Sequence, residues 1–213
     1  TKNNSSPYWK LFTQIEVAVP REYAFSEDLL ERWQNSVNLV GKGTLSDIWR
    51  RHILDSAQLY SLLPSPFGRV VDLGSGAGFP GMVLAIMGAT DVELIEANTR
   101  KCGFLREVAR VTNTQVIINN NRIEGGAPRI ADVVTARALA PLPRLLGYAK
   151  TYVGPETICL FLKGRRLHQE LTDARKTWKM GITTITSRSD AGGSVLHLRK
   201  LSRTNDTDSP DSS

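Results

Sequence analysis

The stretch Val70-Val71-Asp72-Leu73-Gly74-Ser75-Gly76-Ala77-Gly78-Phe79-Pro80-Gly81 constrains this chain more than any other. An apolar run with the length of a buried strand enters a loop of alternating glycines, and Pro80 and Gly81 then open a helix. Glycine permits positive φ and lets a ligand approach the backbone with no Cβ in the way. Proline is tolerated in a first helical turn, where its missing N–H would be unpaired anyway. A second apolar strand follows, and Glu96 stands at its end, 22 residues after Gly74. A carboxylate at that place can accept hydrogen bonds from both ribose hydroxyls of a bound nucleoside. A tight strand-to-helix turn with no ligand also needs glycine, but strand, loop, helix, second strand and terminal acid here occur in register.

Two cofactors fit such a loop. Gly76-Ala77-Gly78-Phe79-Pro80-Gly81 matches the GxGxxG pattern of dinucleotide sites. Against NAD, Asp72 precedes the first glycine by two positions, as in the DxGxGxG loop of methyltransferases. Pro80 also removes one of the helix N–H groups a pyrophosphate would use. S-adenosylmethionine carries no phosphate and is the favoured reading.

The rest of the chain divides around this loop. Residues 1–66 read as a helical extension. Ser26 caps a helix bearing Leu29, Leu30, Trp33, Val37 and Val40, and Ser46 precedes another bearing Trp49, Ile53, Ala57 and Tyr60, stopped by Pro64 and Pro66. Tyr8–Val19 is a weaker helical segment. Residues 67–203 are expected to form one further domain, of the methyltransferase kind that the glycine loop suggests, in which strands and helices alternate. Apolar runs lie at 69–73, 91–97, 115–119, 132–136 and 157–162, and helices are expected over 81–87, 98–112, 142–153 and 165–178. The last helix carries Leu167, Leu171, Ala174 and Trp178 on one stripe. Such alternation argues for a parallel sheet covered on both faces. The end differs: 182–187 and 195–201, joined through Asp190-Ala191-Gly192-Gly193, read as an antiparallel hairpin. The expected fold is α/β, a Rossmann-like, mostly parallel seven-stranded sheet ending in that hairpin; it resembles the architecture of class I methyltransferases, an analogy of fold that does not by itself fix function.

Residues 204–213 contain three aspartates, no base and nothing apolar to bury, and read as a disordered acidic tail. They dilute the charge. The chain carries a formal +6, and without the tail the excess is three charges larger. A basic body favours an acidic partner, nucleic acid being the commonest. No apolar run approaches the ~20 residues of a membrane helix. The polar opening, TKNNSSPYWK, is not expected to be a secretory signal. Cys102 and Cys159 make no metal-type pair and no CxxC motif, which suggests a reducing, cytoplasmic location.

The acceptor atom is narrowed by what is missing. Amine methylation commonly uses an (N/D)PP(Y/F) motif after the fourth strand, where this chain has Thr135-Ala136-Arg137-Ala138-Leu139-Ala140-Pro141-Leu142. Methylation at C5 of a pyrimidine needs an exposed, activated cysteine. Cys102 in a helix and Cys159 in an apolar strand are better read as packing. Guanine N7 carries no proton and needs no base, so in-line placement could supply the catalysis.

Taken together, Trp33-Gln34-Asn35-Ser36-Val37-Asn38-Leu39, Arg51-His52-Ile53-Leu54-Asp55-Ser56, the glycine loop, Lys101 to Leu105, Thr135-Ala136-Arg137-Ala138 and Leu162-Lys163-Gly164 resemble the small-subunit ribosomal RNA methyltransferase G family, also called glucose-inhibited division protein B. The resemblance spans roughly residues 25 to 200. It implies transfer of methyl from S-adenosylmethionine to N7 of one guanine in a loop of 16S rRNA. By position it implies cofactor contacts from Gly74, Gly76, Phe79 and Glu96, adenine-side contacts from Ile123 and Glu124, and Arg137 near the methionine end, where it could position substrate or methyl. Gln34 replaces the usual second residue of a WN pair, and Glu96-Ala97 stands where the family has Asp-Ser.

Arg51, Lys101, Lys163, Arg165 and Arg166 are the candidate RNA contacts, although Arg100, Lys101, Arg106 and Arg110 equally suit a solvated helix face. His52 has no second ligand at metal spacing and reads as structural or RNA-facing. Asp55 can pair with Arg51 four residues earlier on the helix. No metal or membrane partner is expected. The expected partner is 16S rRNA or the small ribosomal subunit or its assembly particle, met by a monomer. A ribosome-binding module with a vestigial cofactor loop and a small-molecule methyltransferase remain as alternatives.

Overall fold

The computed structural model describes residues 33–34, 37–41, 47–126 and 128–205. The expected helix over Tyr8–Val19, the Ser26 cap with Leu29 and Leu30, the Ser46 cap, and most of the acidic tail lie outside these residues.

Seven strands form one sheet in the order β3-β2-β1-β4-β5-β7-β6. β1 (Val70–Leu73) is central and buried along its whole length, as its all-apolar run around Asp72 requires. It pairs in parallel with β2 (Val92–Ile95) and with β4 (Ala131–Arg137), Val70 lying opposite Val92 and Val133. β3 (Ile117–Asn119) adds to β2, and β5 (Val153–Lys163) adds to β4. β6 (Trp178–Thr186) and β7 (Ser194–Arg203) form the antiparallel hairpin, with β7 inserted against β5. Because β2 and β4 flank β1, the chain reverses its winding direction at the carboxyl end of β1. That is where open α/β sheets hold ligands.

One apolar core lies on each face. Met82, Val83 and Leu84 of α2 (Gly81–Ile86) pack with Phe104, Leu105 and Val108 of α3 (Thr99–Val111) on the first face. Ile53 and Leu54, on a π-helical stretch Trp49–Leu54 that continues into α1 (Asp55–Ala57), join this core. On the second face, Leu142, Leu145 and Leu146 of α4 (Leu142–Ala149) meet Leu167 and Ala174 of α5 (Leu167–Ala174) and Phe161 of β5.

Three expectations are corrected. The helix expected through Val40 is helical at Trp33 and Gln34, but Val37 to Gly41 are non-helical, with bends at Val37 and Val40. There the Gln34 amide accepts from the N–H groups of Leu39 and Val40 and donates to the Val40 carbonyl, so the side chain closes a loop, and Val37, Leu39 and Val40 are nevertheless buried. The helix expected over 165–178 ends at Ala174. Trp178 begins β6, where it fills the same core from a strand beneath the Arg203 guanidinium, 4.9 Å from its ring centroid. The β-branched run after it extends the strand backwards, which the helical spacing disguised. β5 starts at Val153 rather than 157, because Gly154 and Pro155 sit at a register irregularity opposite Ala131 and Val133 and not in a turn.

Candidate active site

The glycine loop turns through three left-handed positions, Gly74, Gly76 and Gly78, at φ +66°, +58° and +91°. The φ of Gly74 favours glycine, and a Cβ there would lie 2.6 Å from Leu139 Cδ1, so that side chain would have to shift. Beneath the loop Asp72 is fully buried, its carboxylate accepting from Thr135 Oγ1 at 2.7 Å and from Gly81 N–H at 3.2 Å. It therefore joins the end of β1 to β4 and to the start of α2. Burial pushes its carboxyl up to about 6 from 3.8, opposed by these hydrogen bonds and by Arg137.

Glu96 leaves β2 half-buried and faces the loop. Its Oε2 accepts from Gly76 N–H at 2.9 Å and its Oε1 from Asn98 N–H at 2.7 Å. Asn98 caps α3 by accepting from the N–H groups of Arg100 and Lys101. Each Glu96 oxygen keeps a further lone pair for a hydroxyl. The cleft above has a volume of about 460 Å³ and is lined by Gly74, Gly76, Ile95, Glu96, Ala97, Lys101, Asn121, Arg122, Ile123, Glu124, Ala138, Leu139, Arg144 and Tyr148. A Cβ on Gly76 would meet only the Gly74 carbonyl, at 3.8 Å, so the backbone is open on this side. Open loop backbone, a carboxylate with spare acceptors and a volume in the small-molecule range suit a nucleoside-bearing cofactor.

A larger cleft, about 840 Å³, lies on the other side of Ala138 and Leu139, which line both. Arg51, His52, Asp55, Arg137, Lys163, Arg165, Arg166, Glu170, Ser189 and Asp190 are among its walls. Arg137, last residue of β4, reaches across to the π-helical stretch: its guanidinium donates to the Arg51 carbonyl at 2.9 Å and to His52 Nδ1, and lies 3.5 Å from Asp55 Oδ2. Since Arg137 can only donate, His52 Nδ1 is an acceptor and the ring proton sits on Nε2. Burial, then Arg137 and Arg51, push His52 down to about 3 from 6.5. The His52 ring stacks on Phe79 with centroids 5.2 Å apart, and Arg137 also lies 5.2 Å from the Phe79 centroid. Asp55 Oδ1 accepts from Ser187 Oγ at 3.1 Å and Ser189 Oγ at 2.6 Å, tying α1 to the hairpin loop.

Gly74, Gly76, Glu96, Ile123 and Glu124 thus line the smaller cleft together. Phe79 does not line it; the ring is buried under His52 and Arg137. Arg137 lines the larger cleft. Lys101, expected to meet RNA, lines the smaller one, because the Asn98 cap starts α3 beside Glu96. Arg51, Lys163, Arg165 and Arg166 gather in the larger cleft, but Lys163 is engaged by Glu170 at 2.5 Å, whereas Arg165 and Arg166 are exposed. Arg51 approaches Asp190 at 3.8 Å, so the expected Arg51–Asp55 pairing is replaced by Arg137–Asp55.

Sequence reasoning missed Arg144 and Tyr148, four residues apart on α4 with the guanidinium 5.3 Å from the ring centroid. Their spacing marked a helix face, and nothing local pointed that face at a cleft. Cys159 is pushed up to about 12 by burial and Cys102 is raised chiefly by burial, so neither is a nucleophile at neutral pH. Among the described residues, no group of three His, Cys, Asp or Glu side chains could hold a metal, and no helix is long and apolar enough to cross a membrane.

Residues 23–193 match a family model described as rRNA small subunit methyltransferase G. A ribosomal RNA small subunit methyltransferase G of Paramagnetospirillum magneticum is 58% identical over 83% of this chain and 86% of its own length. That of Rhodospirillum rubrum is 50% identical over 82% and 87%. Among solved structures, a SAM-dependent methyltransferase of Aquifex aeolicus superposes with a TM-score of 0.56 at 15% identity, covering 74% of this chain and 96% of that one, which speaks for the fold alone.

Proposed function

The chain belongs to the rRNA small subunit methyltransferase G family, and from that premise we propose that it methylates N7 of a single guanine in 16S rRNA. The observation that carries this reading is the shared wall. A nucleoside-sized cleft around Glu96 and a larger cleft rimmed by arginines meet at Ala138–Leu139, so donor and acceptor sites adjoin.

Fold and family both imply S-adenosylmethionine, which when bound supplies a methyl group made electrophilic by its sulfonium. Gly76 would give it open backbone with Gly74 lining the cleft beside Leu139, Glu96 would accept from its ribose hydroxyls, and Ile123 and Glu124 would border its adenine. Lys101, Arg144 and Tyr148 complete that cleft. On the other side Arg51, Arg165 and Arg166 would hold RNA phosphates, with the base presented from an unpaired loop. Arg137, fixed by Asp55 and His52 at the end of β4, stands beside the shared wall and is suited to orienting the base.

N7 has no proton to remove, so the site needs no general base. Its residues agree with that demand. His52 is held neutral with Nδ1 already accepting, and Asp55 is occupied by Arg137, Ser187 and Ser189. Their work is positioning, which can contribute up to ~7–11 kcal/mol in well-oriented systems. The enzyme is read as a cytoplasmic monomer acting on rRNA within the small subunit or its assembly particle. Mass spectrometry of rRNA from a strain lacking the gene tests the assignment: one N7-methylguanine should disappear, and an unchanged content would overturn it in favour of a binding role or a small-molecule acceptor.

A further inference from the structure

The segment between the two clefts, Ala138–Pro141, is held by a largely buried ion pair in the wall of the larger cleft. Ala138 has φ +51°, a left-handed conformation that an L-residue keeps only where its surroundings impose it. Lys163, the last residue of β5, turns its ammonium onto this segment. Nζ donates to the Ala140 carbonyl at 3.1 Å and sits 2.5 Å from Glu170 Oε2. Glu170 comes from α5, and the same Oε2 accepts the Leu142 N–H at 2.8 Å. The two side chains keep only 9% and 17% of their exposure. The pair therefore grips the segment at Ala140 and again at Leu142, on the carboxyl side of the strained residue.

Most of the Lys163 ammonium's donor capacity is thus spent inside the protein. A lysine has three N–H donors, and two directions here are taken by Ala140 and Glu170. Arg165 and Arg166, two and three residues further on, present exposed cations to the same cleft.

We propose that Lys163 and Glu170 are positioning residues for methyl transfer, a clamp that sets the Ala138–Pro141 partition and with it the alignment of donor and acceptor, so that Lys163 governs turnover and does not bind RNA. The inference rests on the methyltransferase reading above. Partition and clefts belong to one rigid frame: Leu139 packs on Gly74, and Arg137 immediately precedes Ala138. A small displacement of the partition changes both clefts at once, and a misplacement of about 1 Å can cost about 10²-fold in rate.

Two substitutions in the full-length protein separate the clamp from an electrostatic role by sign. Glu170→Gln removes a negative charge from the RNA cleft. If Lys163 were a phosphate ligand held back by Glu170, this variant would bind RNA more tightly and turn over as before. The clamp predicts a fall in kcat at saturating rRNA and cofactor, of about 10²-fold at most. Lys163→Met should lower kcat similarly and leave the salt dependence of RNA binding unchanged, whereas loss of a phosphate contact would reduce the slope by about 0.7 on single-stranded RNA. The double variant should be no slower than the slower single one, since either change opens the same clamp.

Hydrogen exchange across residues 138–142, read in the absence of RNA, should rise in both variants while S-adenosylmethionine binding persists. This readout holds even if the acceptor is not rRNA, so failure of the functional assignment and failure of the clamp are distinguishable. Should Lys163→Met not fold, the isosteric Glu170→Gln variant decides alone. Unchanged kcat and unchanged exchange in Glu170→Gln, or a Lys163→Met defect confined to RNA affinity and its salt slope, would overturn the proposal.

Discussion

Replacing Glu96 by alanine probes the link between the glycine loop and the cofactor. The carboxylate holds Gly76 N–H at 2.9 Å and Asn98 N–H at 2.7 Å, and it retains acceptors for two ribose hydroxyls. Hydrogen bonds to a charged acceptor contribute about 1.5–3 kcal/mol each, and water recovers part of that in an open cleft. A net loss of about 3 kcal/mol corresponds to roughly 10²-fold in Kd. Glu96→Gln sharpens the reasoning. The side chain keeps its shape, but one of its two atoms becomes an N–H donor facing Gly76 or Asn98, two donors that have no use for it. Glutamine should therefore weaken binding by at least about tenfold, or ~1.4 kcal/mol, despite its conservative size. Isothermal titration with S-adenosylmethionine, with NAD as the control ligand, measures both variants. Changes below threefold in each, or tight NAD binding by the wild type, would refute the role given to Glu96.

Other expectations follow from the same geometry. Gly74→Ala combines φ +66° with a Cβ 2.6 Å from Leu139; it should cost about 1–2 kcal/mol in backbone strain alone and lower the melting temperature by several degrees in a thermal scan. Burial pushes the Asp72 carboxyl up to about 6 from its ordinary 3.8, so the native state binds its proton more tightly than the unfolded chain. Its effect is to make stability fall as pH rises from about 4 to about 6, by on the order of 2–3 kcal/mol, and then level. Asp72→Asn should remove that slope in denaturant titrations. His52, lowered to about 3 from 6.5, has the opposite sign: its contribution is present above pH 6.5 and is lost as pH falls toward 3, a loss that His52→Gln should abolish. Arg165→Gln and Arg166→Gln should each weaken RNA binding and reduce its salt slope by about 0.7, leaving cofactor affinity unchanged in calorimetry.

Much of the architecture was legible because its signals are local. Alternating glycines, buried apolar strands and the acid 22 residues on mark β1, β2 and the cleft between them, and Asp190 to Gly193 mark the terminal hairpin. What could not be read depends on contacts distant in sequence. Asp55 pairs with Arg137, eighty-two residues away, rather than with the expected helical neighbour Arg51, because the end of β4 faces α1 across the larger cleft. Lys163 looks like a free basic residue beside Arg165 and Arg166 until Glu170 is brought against it by the turn into α5. Trp178 falls on a helical stripe and on a strand with equal ease, since both place it in the same core. Phe79 belongs to the cofactor loop by position and to the Arg137–His52 stack by packing. Residue types at the site were visible, and their division between two clefts required the fold.

The central claim is that the cleft around Glu96 and the arginine-lined cleft, joined at Ala138–Leu139, deliver methyl to one guanine N7. It is tested most directly by incubating the protein with labelled S-adenosylmethionine and unmodified 16S rRNA, free and in assembled small subunits, and mapping the modified nucleotide and atom. A single N7-methylguanine in an unpaired loop is expected, abolished by Arg137→Ala. Methyl on an exocyclic amine, on a pyrimidine carbon or on no RNA at all would contradict it.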